Sequence, residues 1–167
     1  MNFARFSSNP PIIKNAATPP RKLAKFTSLA AFIPVIMGMG GNIGTQSSTI
    51  VVRGIATGRI NLQDFSKVVS KELAVGLILG VIYGVFIGVI AKFTFAAEPF
   101  SVPLAFAVGL AIISSMSIAA LVGSMVPLIF ERLNIDPAVA TGPFVTTSID
   151  IVSVYCYFTI ASHLLNL

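Results

Sequence analysis

The sequence predicts an all-α fold: an integral membrane helical bundle of four spans, with broken helices among them. Three observations carry that expectation. Of 167 residues, 55% are hydrophobic and only 10% charged, against roughly 25% charged in average soluble domains. The mean hydropathy is +0.91, which leaves more apolar surface than a soluble domain of this length can bury. The charge-free stretches also come in runs near the roughly 20 apolar residues that a helix needs to cross a bilayer.

Residues 1–28 read as a basic, disordered arm, and residues 29–167 as the transmembrane domain. The arm holds Arg5, Lys14, Arg21, Lys22 and Lys25 with no acid, which accounts for the whole net charge of +5. Pro10-Pro11 and Pro19-Pro20 argue for irregular backbone there. A basic arm beside a membrane suits lipid headgroups or targeting, and nothing aromatic or RNP-like accompanies it to suggest nucleic acid.

Span A runs from about Leu29 to Val52 and has a polar, glycine-rich centre. Pro34, Gly38, Gly40, Gly41 and Gly44 argue against a continuous helix here, and irregular backbone at membrane depth must be buried in protein or line a watery cavity. Asn42 falls roughly 20 Å along this span, followed by Thr45, Gln46, Ser47 and Ser48, neutral groups suited to hydrated cations. The competing reading is that these small polar residues only mediate tight helix packing.

Span B, about Leu73 to Ala91, carries Gly76, Gly80, Gly84 and Gly88 at four-residue spacing. Small residues at this period let two backbones approach closely, either within one subunit or between two. Span C covers Val102 to Phe130, and span D covers Pro137 to Leu165. The segment between A and B holds Arg53, Arg59, Lys67 and Lys71, so the positive-inside rule places it in the cytoplasm. The basic arm would then lie outside, and charge alone leaves the topology open unless a preceding span lies elsewhere.

Span D gives the sharpest signal. Asp150 stands about 13 residues beyond Pro137, roughly 20 Å of helix, which puts a carboxylate in the middle third of the membrane. Such a group costs at least about 2.5 kcal/mol to insert and usually marks an ion pathway. Pro143, Thr146, Thr147 and Ser153 share its helical face, and Gly142-Pro143 frees carbonyl oxygens of the kind hard cations prefer. A protonated Asp150 bonded to another helix is the alternative. Glu72 and Asp136, at the mouths of spans B and D, form a candidate cation entry site; as plain helix ends they would be solvated, and Asp136 before Pro137 makes a good N-cap.

Enzymatic readings fare poorly. Cys156 is the single cysteine and His163 the single histidine, so no internal disulfide or usual zinc spacing is available. Intramembrane aspartyl proteolysis needs two carboxylates at depth, and the Ser114-Ser115 pair lies at a different height from His163.

Two segments, Pro34-Val-Ile-Met-Gly-Met-Gly-Gly-Asn-Ile-Gly-Thr-Gln-Ser-Ser-Thr-Ile-Val-Val-Arg-Gly-Ile-Ala-Thr-Gly58 and Asp136-Pro-Ala-Val-Ala-Thr-Gly-Pro-Phe-Val-Thr-Thr-Ser-Ile-Asp150, resemble the two signature stretches of the MgtE magnesium channel/transporter family. Lys71 to Gly80 resembles the start of that family's third membrane helix. The resemblance implies spans corresponding to helices two to five of a dimeric, five-helix membrane domain with a Mg²⁺ pore on its two-fold axis. It assigns Asp150 to the ion site, with Asn42, Gln46 and Thr45 bordering the pore. Thr146 and Thr147 would contact the ion's water shell, and Glu72 and Asp136 would stand at the cytoplasmic mouth. The arm would occupy the outer connection between helices one and two. The family's first helix and its cytoplasmic regulatory domains, including the paired cystathionine-β-synthase-type domains, have no counterpart in these residues.

The expectation is therefore a multi-pass membrane protein that transports Mg²⁺, with no organic cofactor and no nucleic-acid partner. It would act as a homodimer in a plasma (inner) membrane, an organelle membrane being the alternative. One Asp150 per copy, doubled by a two-fold axis, gives two charges for one divalent ion, and this arithmetic suits Co²⁺, Ni²⁺ or Mn²⁺ as well. Mg²⁺ keeps several waters, which fits few carboxylates and many neutral oxygens. The alternative function is a non-conducting membrane fragment or assembly partner of a larger transporter.

Overall fold

The computed structural model describes residues 21–140 and 142–167. They form helices α1 (Arg21–Ala30), α2 (Ile33–Ala56), α3 (Phe65–Thr94), α4 (Ser101–Arg132) and α5 (Pro143–Leu165), with short 3₁₀ turns at Leu62–Asp64 and Pro137–Ala140. Among the described residues there is no strand. α1 and α2 join into one segment, Leu23–Ala56, and with α3, α4 and α5 this makes four segments long and apolar enough to cross a membrane. The all-α membrane bundle that composition predicts is the observed fold, and the protein is a multi-pass membrane protein.

The helices alternate in direction. Gly76 of α3 faces Met116 and Ala120 of α4, whereas Gly88 faces Ala105, so these two helices are antiparallel. Thr146 of α5 meets Gly41, while the Tyr157 hydroxyl donates to the Leu29 carbonyl at 3.0 Å, so α5 also runs opposite to α2. α4 packs against α2, α3 and α5, with buried residues recurring from Leu104 to Leu128. Pro127 inside α4 removes the donor for the Gly123 carbonyl. Close by, Gly123 rests on the Gly44 carbonyl oxygen, so α2 and α4 touch backbone to backbone.

α3 is 30 residues long, about 45 Å. It turns Gly76, Gly80, Gly84 and Gly88 inward and leaves Ile78, Val85, Phe86 and Phe93 exposed. Each of the four glycines meets α4 of the same chain. The exposed row is what a lipid-facing surface requires.

Three local features differ from the sequence reading. Residues 21–28, placed within the irregular arm, are helical; the rest of the arm, residues 1–20, lies outside the described residues. α2 is continuous through Gly38, Gly40, Gly41 and Gly44, and the interruption comes earlier, at Ala31-Phe32, with Pro34 in the first turn of α2, where its missing donor is harmless. The glycines survive in the helix because neighbours fill their places. A β-carbon on Gly40 would collide with the Ser115 hydroxyl and stand 2.9 Å from that of Ser153, and one on Gly41 would lie 3.1 Å from the Thr146 methyl. Close backbone packing offsets the roughly 1 kcal/mol that glycine costs a helix. The third difference is in span D, whose helix starts later than Pro137. The 3₁₀ turn at Pro137–Ala140 leads to Gly142 at φ 71° and ψ −132°, and α5 begins at Pro143.

Candidate ion site

Height within the bundle is set by a layer near the middle of the segments. Gly40 stands near the midpoint of Leu23–Ala56 and Ser115 near that of Ser101–Arg132. The two touch, and Ser153 of α5 joins them through a Ser115–Ser153 hydroxyl bond of 2.6 Å. Asp150 is one turn, about 4.5 Å, from Ser153. It lies seven residues into α5, about 10 Å from the helix start rather than the 20 Å expected from Pro137, yet it remains close to the mid-height layer.

The Asp150 carboxyl is half-buried, and its Oδ1 lies 3.7 Å from where a β-carbon on Gly41 would stand. A β-carbon there would make ordinary contact with the carboxylate, and its tighter neighbour is the Thr146 methyl at 3.1 Å. Asp150 makes no hydrogen bond or ion pair among the described residues. One turn earlier, the Thr146 hydroxyl donates to the Gly142 carbonyl at 2.8 Å. That bond closes the first turn of α5 and turns the Thr146 methyl toward Gly41. Thr147 is exposed, on the far side of Asp150 from Thr146.

Beside this carboxylate α2 presents a polar face. Gly38, Asn42, Gln46, Thr49 and Arg53 are exposed, and Thr45 is half-buried. Their spacing of three and four residues places them in one stripe. The Thr49 hydroxyl is satisfied by the Thr45 carbonyl at 2.8 Å, while the Asn42 and Gln46 amides project outward from the chain. Asn42 adjoins Gly41, which meets the Asp150 carboxyl, and Gln46 lies one turn further along the same exposed stripe. Thr49 and Arg53 extend it, and their place in the same stripe is the sequence signal that would have found them.

Glu72 and Asp136 stand in different local settings. Glu72 continues the glycine row of α3 and is 7% exposed. It lines a half-open cleft of about 250 Å³ with Arg59, Asp64, Lys67 and Lys71. Asp136 is exposed and accepts a hydrogen bond from the Ala138 amide at 2.9 Å, capping the 3₁₀ turn. Among the described residues no group of three or more His, Cys, Asp or Glu side chains could hold a metal. What one chain offers at mid-height is a single carboxylate next to neutral oxygens.

Residues 33–160 match the family model of MgtE, described as a divalent cation transporter. The chain is 36% identical over 144 residues to "Magnesium transporter MgtE" of Thermus thermophilus, covering 86% of this chain and 31% of that protein. It is 38% identical over 134 residues to the protein of the same name from Enterococcus faecalis, covering 80% of this chain and 29% of that protein. The Bacillus subtilis protein of that name is 31% identical over 140 residues, covering 84% and 30%. The chain spans about a third of the length of these curated relatives. The match runs from the first turn of α2 to the last turns of α5, across both halves of the polar face around Asp150, and the chain belongs to the MgtE family of divalent cation transporters.

Proposed function

We propose that this chain is the membrane domain of a Mg²⁺ transporter or channel, in which two copies turn their α2 and α5 polar faces toward each other and Asp150 holds the ion. The observation that carries the reading is the unpaired, half-buried Asp150 beside exposed Asn42 and Gln46 at mid-height. Against lipid an ionised aspartate would cost about 2.5–3.5 kcal/mol on the insertion scale, and such groups face a bundle interior or a water-filled cavity. The four membrane-length segments among the described residues leave this face open, so a second copy and water must cover it.

A two-fold pairing supplies two carboxylates to one divalent ion and surrounds it with the Asn42 and Gln46 amides and the Thr45 and Thr147 hydroxyls. Mg²⁺ retains several waters and is usually bound by one or two carboxylates. The neutral groups would hydrogen-bond that hydration shell while the paired charge compensates the ion in a low dielectric. The Gly142 carbonyl that the sequence reading expected to be freed is instead taken by the Thr146 amide and hydroxyl, so the neutral oxygens of this reading are those of side chains. Mn²⁺, Co²⁺ and Ni²⁺ satisfy the same charge arithmetic and serve as competitors.

Liposomes containing the chain and loaded with a Mg²⁺-sensitive dye test the reading. Wild-type protein gives Mg²⁺ influx and Asp150→Ala gives none at equal insertion. Equal influx in both would remove Asp150 from the pathway.

A further inference from the structure

Ser115 and Ser153 are each 1% exposed and lie near the centre of the bundle. Their hydroxyls are 2.6 Å apart, and the Ser115 hydroxyl is 3.4 Å from the Ile36 carbonyl oxygen. With Ser115 donating to Ile36, Ser153 donates to Ser115, so one relay ties α5 to α4 and α4 to α2. Gly40 sits directly over both hydroxyls; any side chain there would displace them. Elsewhere α5 is anchored near its C-terminal end, by the Tyr157 hydroxyl on Leu29 and by Lys25 on the Leu165 carbonyl.

This placement bears on Asp150. Ser153 is three residues further along α5, which is 60° around the helix and about 4.5 Å along it. The azimuth of Ser153 therefore fixes that of the carboxylate. At a side-chain radius of about 5–6 Å, a 20° rotation of α5 moves the Asp150 carboxyl by about 2 Å. Positioning errors of about 1 Å suffice to weaken a preorganised site strongly.

We propose that the Ser115–Ser153 pair is a positioning device for the ion site: it sets the rotation of α5 so that Asp150 faces the polar surface of α2 rather than lipid or the packed core. The proposal rests on the assignment of Asp150 as the ion site. Neither serine touches the ion path; both act through the carboxylate.

Single removals leave the remaining hydroxyl a partner. In Ser153→Ala the Ser115 hydroxyl keeps the Ile36 carbonyl, and in Ser115→Ala the Ser153 hydroxyl can turn to a carbonyl of its own helix. Both variants should therefore insert and fold. Loss of one hydrogen bond of this class corresponds to about a three- to tenfold change in an equilibrium. In the liposome assay each variant should raise the half-saturating Mg²⁺ concentration by that factor, with little change in maximal influx. A purely structural role would instead lower maximal influx in step with the amount of folded protein and leave half-saturation alone.

A second readout follows orientation directly. In a Cys156→Ser background, Asp150→Cys is modified by a charged, membrane-impermeant thiol reagent, and adding Ser153→Ala should slow that modification about three- to tenfold while the rate at Asn42→Cys is unchanged. An unaltered rate at position 150, an equal change at position 42, or wild-type half-saturation in both serine variants overturns the proposal. Wild-type influx in Asp150→Asn overturns the assignment of the ion site itself, so the two failures are distinguishable.

Discussion

Replacing Gly84 by alanine tests the packing on which the whole bundle rests. The added methyl would stand 2.7 Å from the Gly109 carbonyl oxygen and 2.9 Å from Cγ1 of Ile113. The isoleucine can adjust, but the oxygen belongs to the α4 backbone. A carbon–oxygen contact relaxes at about 3.3 Å, so α3 and α4 must separate by roughly 0.6 Å at this turn. Gly80 and Gly88 are already at contact, their β-carbon positions 3.1 Å from the Ile113 α-carbon and 3.0 Å from the Ala105 oxygen, so a rigid displacement opens gaps along the row. A gap of 0.5–1 Å forfeits a quarter to a half of each dispersion contact, and overpacking of this kind costs about 1–3 kcal/mol. For a chain of this size that is a loss of about 2–12 °C in melting temperature, measurable in detergent by a thiol-reactive fluorophore reporting exposure of Cys156. Gly38→Ala is the matched control, because a β-carbon there meets nothing within 4 Å. It should be neutral or slightly stabilising, since alanine is the better helix former. Equal melting temperatures for Gly84→Ala and wild type would refute the reasoning, as would an equal loss in Gly38→Ala.

Other perturbations separate stability from transport. Tyr157→Phe removes the buried bond to the Leu29 carbonyl and should cost about 1 kcal/mol, read as a fall in melting temperature of about 2–4 °C with half-saturating Mg²⁺ unchanged. Asn42→Leu combined with Gln46→Leu replaces the exposed amides of α2 by lipid-compatible groups. Influx should fall by at least tenfold while the melting temperature holds within about 2 °C, because neither residue is packed. Asp136→Ala deletes the cap on the Ala138 amide and should reduce stability by about 0.5–2 kcal/mol; calorimetry in detergent measures it.

Much of this fold was legible because a bilayer imposes long apolar runs. Spans A to D recur as the four membrane-length segments, with ends shifted by up to eleven residues, outward where a helix continues beyond the apolar core, as α3 does from Phe65 to Thr94, and inward at the start of span D. The continuity of α2 was not legible. Intrinsic propensity counts Gly40, Gly41 and Gly44 against a helix, and the contacts that reverse the balance come from Ser115, Ser153, Thr146 and Ala119, residues more than 70 positions away in sequence. The helix at Arg21–Ala30 was hidden by extending the irregular reading of the proline pairs as far as residue 28.

Asp150 stood out of the sequence because a charge inside an apolar run has few structural uses. The relay beside it did not. Ser115 read as one of two adjacent serines in an apolar helix, and its bond to Ser153 depends on α4 and α5 packing antiparallel in one register. Likewise the polar stripe of α2 is visible as helical periodicity, but only the packed bundle determines that it stays exposed while the opposite, glycine-rich face is buried.

The central claim is that the surface formed by Asn42, Gln46 and Asp150 is a watery path holding a divalent ion. A charged thiol reagent applied to Asn42→Cys in a Cys156→Ser background, with and without Mg²⁺, measures both parts at once. The account predicts that Asn42→Cys reacts, that Mg²⁺ slows the reaction, and that the protection disappears when Asp150→Asn is added. A thiol at position 42 that does not react, or Mg²⁺ protection that persists without the Asp150 carboxylate, would contradict it.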